Sequence, residues 1–117
     1  VAVTIEAVAE ALTLARASGV DAGKVRDALL GGFAYSRVLE VHGKRMLERA
    51  YKPGFKVKLH QKDMAIALRE AHQLGRSLPA AALLAQQFNA MVGAGEADLD
   101  NSGLIRVLER TAGRSEG

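Results

Sequence analysis

The chain has 117 residues, 49% hydrophobic and only 4% aromatic, with no cysteine, a net charge of +3 and a pI of about 9.5. That length suits one domain with a buried core, and the missing cysteines exclude a disulfide framework and thiolate chemistry. Small aliphatic residues favour helices, β-branched residues are too scattered for strands, and no apolar run is long enough to cross a bilayer.

The opening, VAVTIEAVAEALTLA, has no basic lead and carries Glu6 and Glu10. It does not read as a secretory signal. It reads as the interior of a helix, and a reducing, cytoplasmic setting is expected. The first helix is expected over Ala2–Ser18, apolar over most of its circumference, with Glu6, Glu10 and Thr13 as its polar stripe. Such a helix belongs at the centre of a bundle. Gly19 ends it. Asp21 then caps a second helix over Ala22–Leu30, with Val25, Ala28 and Leu29 inward. Gly31-Gly32 stops it, and Ser36 caps a third helix over Arg37–Ala50, buried through Val38, Leu39, Val41, Met46 and Leu47.

Pro53-Gly54 forces a turn. From Val57 the spacing is helical, and a fourth helix is expected over Lys58–Leu74, ended by Gly75. At about 100° per residue, Met64, Ala67, Leu68, Ala71 and Leu74 gather on one side, the side expected to face a core. Lys62, Arg69 and Gln73 lie opposite, with Ile66 beside Lys62. An isoleucine on that face points to a ligand, another domain or another subunit, although single exposed apolar residues are common. Pro79 opens a fifth helix over Pro79–Val92, with Leu83, Leu84, Phe88 and Met91 as its apolar face. A polar loop, Gly93–Asn101, leads to a sixth helix over Ser102–Thr111, carrying Leu104, Ile105 and Leu108. Residues 1–112 form the domain, and Gly113–Gly117 is expected to be a disordered tail.

Several chemistries are disfavoured. His42, His60 and His72 show no metal spacing, and no cysteine could complete a zinc set. His60 reads as a satisfied, half-buried histidine. The loop Gly95–Asp100 lacks the closing glutamate of a calcium loop, so Asp100 or Asn101 reads as a helix cap. Gly31-Gly32 with Ser36 is a helix stop and start, not a phosphate cradle. A Rossmann fingerprint is missing, so the chain cannot hold a whole dinucleotide by the usual means. Charge is uneven. The window Lys44–Lys62 holds seven basic residues and one acid, Glu48, leaving the rest of the chain net acidic. Such a field attracts phosphates, of a dinucleotide or of a nucleic acid.

YKPGF, then KVKLHQKD, MAIAL, LGRSLP and LPAAALLAQQFNAM follow at a spacing that resembles the C-terminal half of the β-hydroxyacid dehydrogenases. The resemblance runs from Val1 to about Arg110 and is nearest the tartronate semialdehyde reductase (2-hydroxy-3-oxopropionate reductase) branch. It implies an all-α bundle of about six helices, similar to the 6-phosphogluconate dehydrogenase C-terminal domain. It implies that Lys62 contacts the nicotinamide cofactor, while Phe55 and Asp63 line the substrate cleft. From the residues alone, Asp63 could be a first-turn carboxylate favoured by the helix dipole, and Phe55 could be core.

In the family a Rossmann domain and the start of a long interdomain helix come first. By that pattern the general-acid lysine falls roughly two helical turns before Val1, and none of the lysines present takes its role. The chain is thus expected to be the C-terminal part of an NAD- or NADP-dependent reductase of a small hydroxy acid, inactive alone and binding no cofactor alone. Its expected partners are its own Rossmann domain and a second copy. The substrate could instead be another 3-hydroxy acid such as 3-hydroxyisobutyrate. One rival reading is a basic nucleic-acid-binding module, disfavoured by the few aromatics and the missing recognition motif. Another is a purely structural, subunit-association domain.

Overall fold

The computed structural model describes residues 1–113. Among them the chain forms six α-helices and one 3-10 turn: α1 (Ala2–Ala17), α2 (Ala22–Leu30), α3 (Arg37–Glu48), α4 (Val57–Gln73), α5 (Pro79–Gly93), the 3-10 turn Asn101–Leu104, and α6 (Ile105–Thr111). No strand occurs among the described residues; the sole ladder-like contact is an isolated antiparallel bridge between Lys56 and Asp100.

Local chemistry accounts for most boundaries. The Asp21 carboxylate accepts from the amides of Gly23 and Lys24, and the Ser36 hydroxyl accepts from Leu39, so both cap orphan donors. After α1, Gly19 takes φ 77° and its amide donates to Arg16, while Val20 donates to Ala15. The same paired closure recurs at Gly75 after α4 and at Gly95 after α5. α3 ends two residues before the expected Ala50, because Arg49 adopts a left-handed conformation at φ 52°. The expected sixth helix begins instead as a 3-10 turn capped by Asp100. Of the expected disordered tail, Gly113 is a left-handed turn residue whose amide donates to Arg110, and the remainder lies outside the described residues.

α1 is central. It packs on α2, α3, α5, α6 and the 3-10 turn, and Ile5, Ala9 and Leu12 are fully buried. Around them close Leu39, Met46, Leu84, Phe88, Met91, Leu104 and Ile105. Glu6, expected on a polar stripe, is buried where α1 meets Gln87 of α5.

α4 behaves differently. It pairs chiefly with α5, and the two form a hairpin. Only a narrow strip of α4 is buried: Val57, His60 and Ala71, with Met64 and Leu68 half-buried. Ala67 and Leu74, expected to face a core, are exposed, as are Leu83 of α5 and Ala28 of α2. Periodicity sets the phase of a helix, but a face is buried only where a neighbour covers it. Beside α4 that neighbour is one helix.

Candidate functional site

The turn at Pro53-Gly54 brings Phe55 to the start of α4. Lys56 is the N-cap residue, in an extended conformation and without a side-chain cap. Phe55 therefore precedes the cap, and His60 lies in the fourth helical position. Their rings meet edge-on, centroids 5.5 Å apart, as an aromatic form of the hydrophobic staple. His60 in turn lies 4.7 Å from the Phe88 ring, which anchors it to the core. One side of Phe55 is thereby held, and the residue stays 39% exposed at the rim.

Lys62 and Asp63 follow in the second turn of α4, both exposed. At about 100° per residue, Leu59 and Ile66 share a lane that runs between them. Leu59 is 40% and Ile66 52% exposed, so the lane is apolar, open and bordered by one cation and one anion. Lys62 forms no ion pair among the described residues, which leaves its ammonium available as a movable point charge. These features suit contact with one edge of a dinucleotide. The site has no glycine-rich cradle for the pyrophosphate.

Beneath this rim is a polar frame that the residue pattern does not reveal. Asp100 is fully buried. Its Oδ1 accepts from the amides of Gly54 (2.9 Å) and Phe55 (3.0 Å) and pairs with Arg45 Nη1 at 2.8 Å. Its Oδ2 accepts from the amide and the hydroxyl of Ser102. Burial by itself raises the carboxyl pKa, but the hydrogen bonds from Ser102, Phe55 and Gly54 outweigh it and hold the group at about 2. Backbone bonds add to the frame: Asp100 donates to Tyr51, Asn101 to Phe55, Val57 to Leu99, and Lys58 to Ala97.

Asn101 extends the frame. Its Oδ1 lies 3.0 Å from His42 Nε2, and its Nδ2 lies 3.1 Å from His60 Nδ1. The amide can only donate through nitrogen and accept through oxygen, so His42 carries its proton on Nε2 and His60 accepts at Nδ1. Burial lowers the pKa of both imidazoles, consistent with neutral rings. His42 Nδ1 is buried and has no hydrogen-bond partner among the described residues. His60 is thus a satisfied, buried histidine, as its phase suggested.

The basic window is partly neutralised by the acids that follow α5. Arg45 pairs with Asp100, Arg49 with Glu109 at 2.7 Å, and Lys58 with Asp98 at 3.0 Å. The hydrogen bond and charge of Lys58 hold the Asp98 carboxyl below its usual range. An open groove of about 680 Å³ runs beside the Pro53-Gly54 turn, with Arg26, Lys44, Arg45, Glu48 and Lys52 among its walls.

A family model described as "NAD-binding of NADP-dependent 3-hydroxyisobutyrate dehydrogenase" matches residues 1–108. The chain belongs to the 3-hydroxyisobutyrate dehydrogenase family. This is the β-hydroxyacid dehydrogenase family that the motifs around Phe55 and Lys62 resemble. Among its relatives, the 2-hydroxy-3-oxopropionate reductase of Escherichia coli is 50% identical over 96% of this chain, which covers 38% of that protein. The crystal structure of a 3-hydroxyisobutyrate dehydrogenase from Salmonella typhimurium superposes with a TM-score of 0.86 at 26% identity, over 91% of this chain and 37% of that one. A Mycobacterium tuberculosis 3-hydroxyisobutyrate dehydrogenase gives 0.79 at 29% identity, over 92% and 39%. The chain therefore spans less than two fifths of the length of these members of the family.

Proposed function

We propose that this chain is the helical wall of the interdomain cleft in an NAD(P)-dependent reductase that interconverts 2-hydroxy-3-oxopropanoate (tartronate semialdehyde) and glycerate. The observation that carries the reading is the 50% identity to a 2-hydroxy-3-oxopropionate reductase across nearly the whole chain. The exposed Lys62 on α4 and the part-exposed Phe55 just before that helix support it. In this reading Lys62 contacts the cofactor, Phe55 presents an apolar face to the cleft, and Asp63 borders the substrate. The cofactor, when bound, supplies or accepts the hydride. The chain's own residues shape and charge one wall, and the general-acid lysine belongs to the upstream helix. The domain spans residues 1–112, acts with its own N-terminal Rossmann domain, and is inactive alone. A cysteine-free chain suits a cytoplasmic enzyme.

The test is Lys62→Ala in the full-length enzyme. A charge-assisted contact contributes about 1.5–3 kcal/mol, so the cofactor KM should rise about ten- to a hundredfold. An unchanged cofactor KM dismisses the role given to Lys62. A second reading, a reductase of another 3-hydroxy acid such as 3-hydroxyisobutyrate, is favoured by the family model and by both solved structures. Comparing kcat/KM for the two substrates decides between them.

We also read the chain as a homodimer-forming unit. Leu14 of α1 is exposed, and the α4–α5 hairpin exposes Ile66, Leu74, Leu78 and Leu83. These five aliphatic side chains are between 41% and 69% exposed. Light scattering of this chain that showed a monomer at high concentration would overturn the reading. The ion pairs within the basic window weigh against nucleic acid as a partner.

A further inference from the structure

We infer that Asp100 is a positioning residue for the reduction site: through the amides of Gly54 and Phe55, its buried carboxylate fixes the Phe55 ring at the rim of the cleft. The inference rests on the reading of Phe55 given above.

A helix cap needs one oxygen. At Asp100 that need is met by Oδ2, which accepts from the Ser102 amide and hydroxyl. Oδ1 faces the other way. It gathers two successive amides, from residues 45 and 46 positions earlier in the chain, together with the Arg45 guanidinium. Two consecutive amides converging on one oxygen define the orientation of the peptide between them, which is the peptide that leads into Phe55. The carbonyl of Phe55 is held as well, by the amide of Asn101. Both backbone polar groups of Phe55 therefore end on the Asp100–Asn101 pair.

The ring is held by the same pair at one remove. Asn101 bonds to His60, and the His60 ring meets the edge of Phe55. Gly54 completes the device. A Cβ there would lie 3.0 Å from Arg45 Nη1, so a side chain at this position would push the guanidinium that pairs with Asp100 by a few tenths of an ångström. Lys62, in contrast, is placed by the hydrogen-bond ladder of α4 and owes nothing directly to Asp100.

The experiment uses the full-length enzyme and the variants Asp100→Asn, Phe55→Ala and their combination. Asparagine keeps the volume but turns one acceptor into a donor, so donors face donors at one arm. Misplacing a cleft residue by about an ångström can cost about a hundredfold. We expect kcat/KM for 2-hydroxy-3-oxopropanoate to fall tenfold or more, on the order of that cost, in Asp100→Asn. NADPH affinity, read by fluorescence titration, should stay within about twofold, a change under about 0.5 kcal/mol. The double variant should be no worse than Phe55→Ala alone, because two residues acting through one contact are not additive. If Asp100→Asn fails to fold, Gly54→Ala tests the same link, since its methyl crowds the Arg45 guanidinium at the turn and leaves the carboxylate in place. It should give the same pattern, again absent in the Phe55→Ala background. Equal losses of NADPH affinity and substrate kcat/KM, or losses that multiply with Phe55→Ala, would overturn the inference. If the unmutated enzyme reduces the substrate but Phe55→Ala is indistinguishable from it, the role of Phe55 falls, and this inference falls with it.

Discussion

Arg49 gives a quantitative test of how the bundle closes. It ends α3 at φ 52°, and it is the one non-glycine residue with positive φ among those described. An L-residue in that region costs about 1–2 kcal/mol relative to the right-handed helix. Glycine would remove the steric cost, so the arginine must return something through its side chain. It does so on α6: Nη1 lies 3.2 Å from Glu109 Oε1 and Nη2 lies 2.7 Å from Oε2, a bidentate pair. Arg16 of α1 approaches the same carboxylate at 3.4 Å. Glu109 is 5% exposed and joins three helices.

Removing one partner of a buried pair costs about 3–5 kcal/mol. Here Arg16 and Arg49 are about a third open to water and can be rehydrated, which lowers the expected loss for Glu109→Ala to about 2–3 kcal/mol. Arg49→Ala loses the pair and keeps the strained backbone. Arg49→Gly loses the pair and relieves the strain, partly offset by the greater freedom of glycine in the unfolded chain. It should therefore be more stable than Arg49→Ala by about 0.5–1 kcal/mol. Urea unfolding of the chain at pH 7, followed by circular dichroism, measures both differences. A Glu109→Ala variant within about 0.5 kcal/mol of the parent, smaller than the predicted loss, would refute the reasoning. So would an Arg49→Ala variant more stable than Arg49→Gly.

Two pH dependences of opposite sign follow from buried groups. Burial, then the hydrogen bond to Glu10, raise the Glu6 pKa from 4.5 to about 7. The folded state thus binds a proton that the unfolded state has released, and stability is lost as pH rises through 7. Glu6→Gln should remove that loss and stabilise the chain at pH 8 by on the order of 2–3 kcal/mol; a variant less stable than the parent at pH 8 would contradict it. His42 and His60 are held below their ordinary 6.5, chiefly by burial. As pH falls below 6.5 the unfolded chain takes up their protons first, so stability should fall. In the Glu6→Gln background the urea midpoint should drop as the pH is lowered from about 7 to about 5.5, the range in which an ordinary histidine titrates. A flat or rising midpoint would show that the two imidazoles are not held neutral.

Which parts of this molecule were legible in advance depends on the range of the interaction concerned. Asp21, Ser36, Gly19 and Pro79 announce helix ends because a cap is a contact between neighbours in the chain. The end of α3 is not legible in this way, because an arginine in a left-handed turn has no local signature. What holds it is Glu109, 60 residues away. Asp100 could be read as a cap from Ser102, two positions on, but its second oxygen serves amides 45 and 46 residues earlier, and no spacing rule reaches that far.

α4 shows the same limit from the other side. Its period placed Lys62 outward and Met64 and Ala71 inward, as found, and it also placed Ala67 and Leu74 inward, where they meet water. The period reports the direction of a side chain, and the neighbour must be supplied by the rest of the fold. Leu59 and Ile66 are instructive for that reason. They share an outward lane with Lys62 on one side and Asp63 on the other, and no element among the described residues covers it. Such a lane is matched by a surface that is flat and apolar at its centre and polar at its edges.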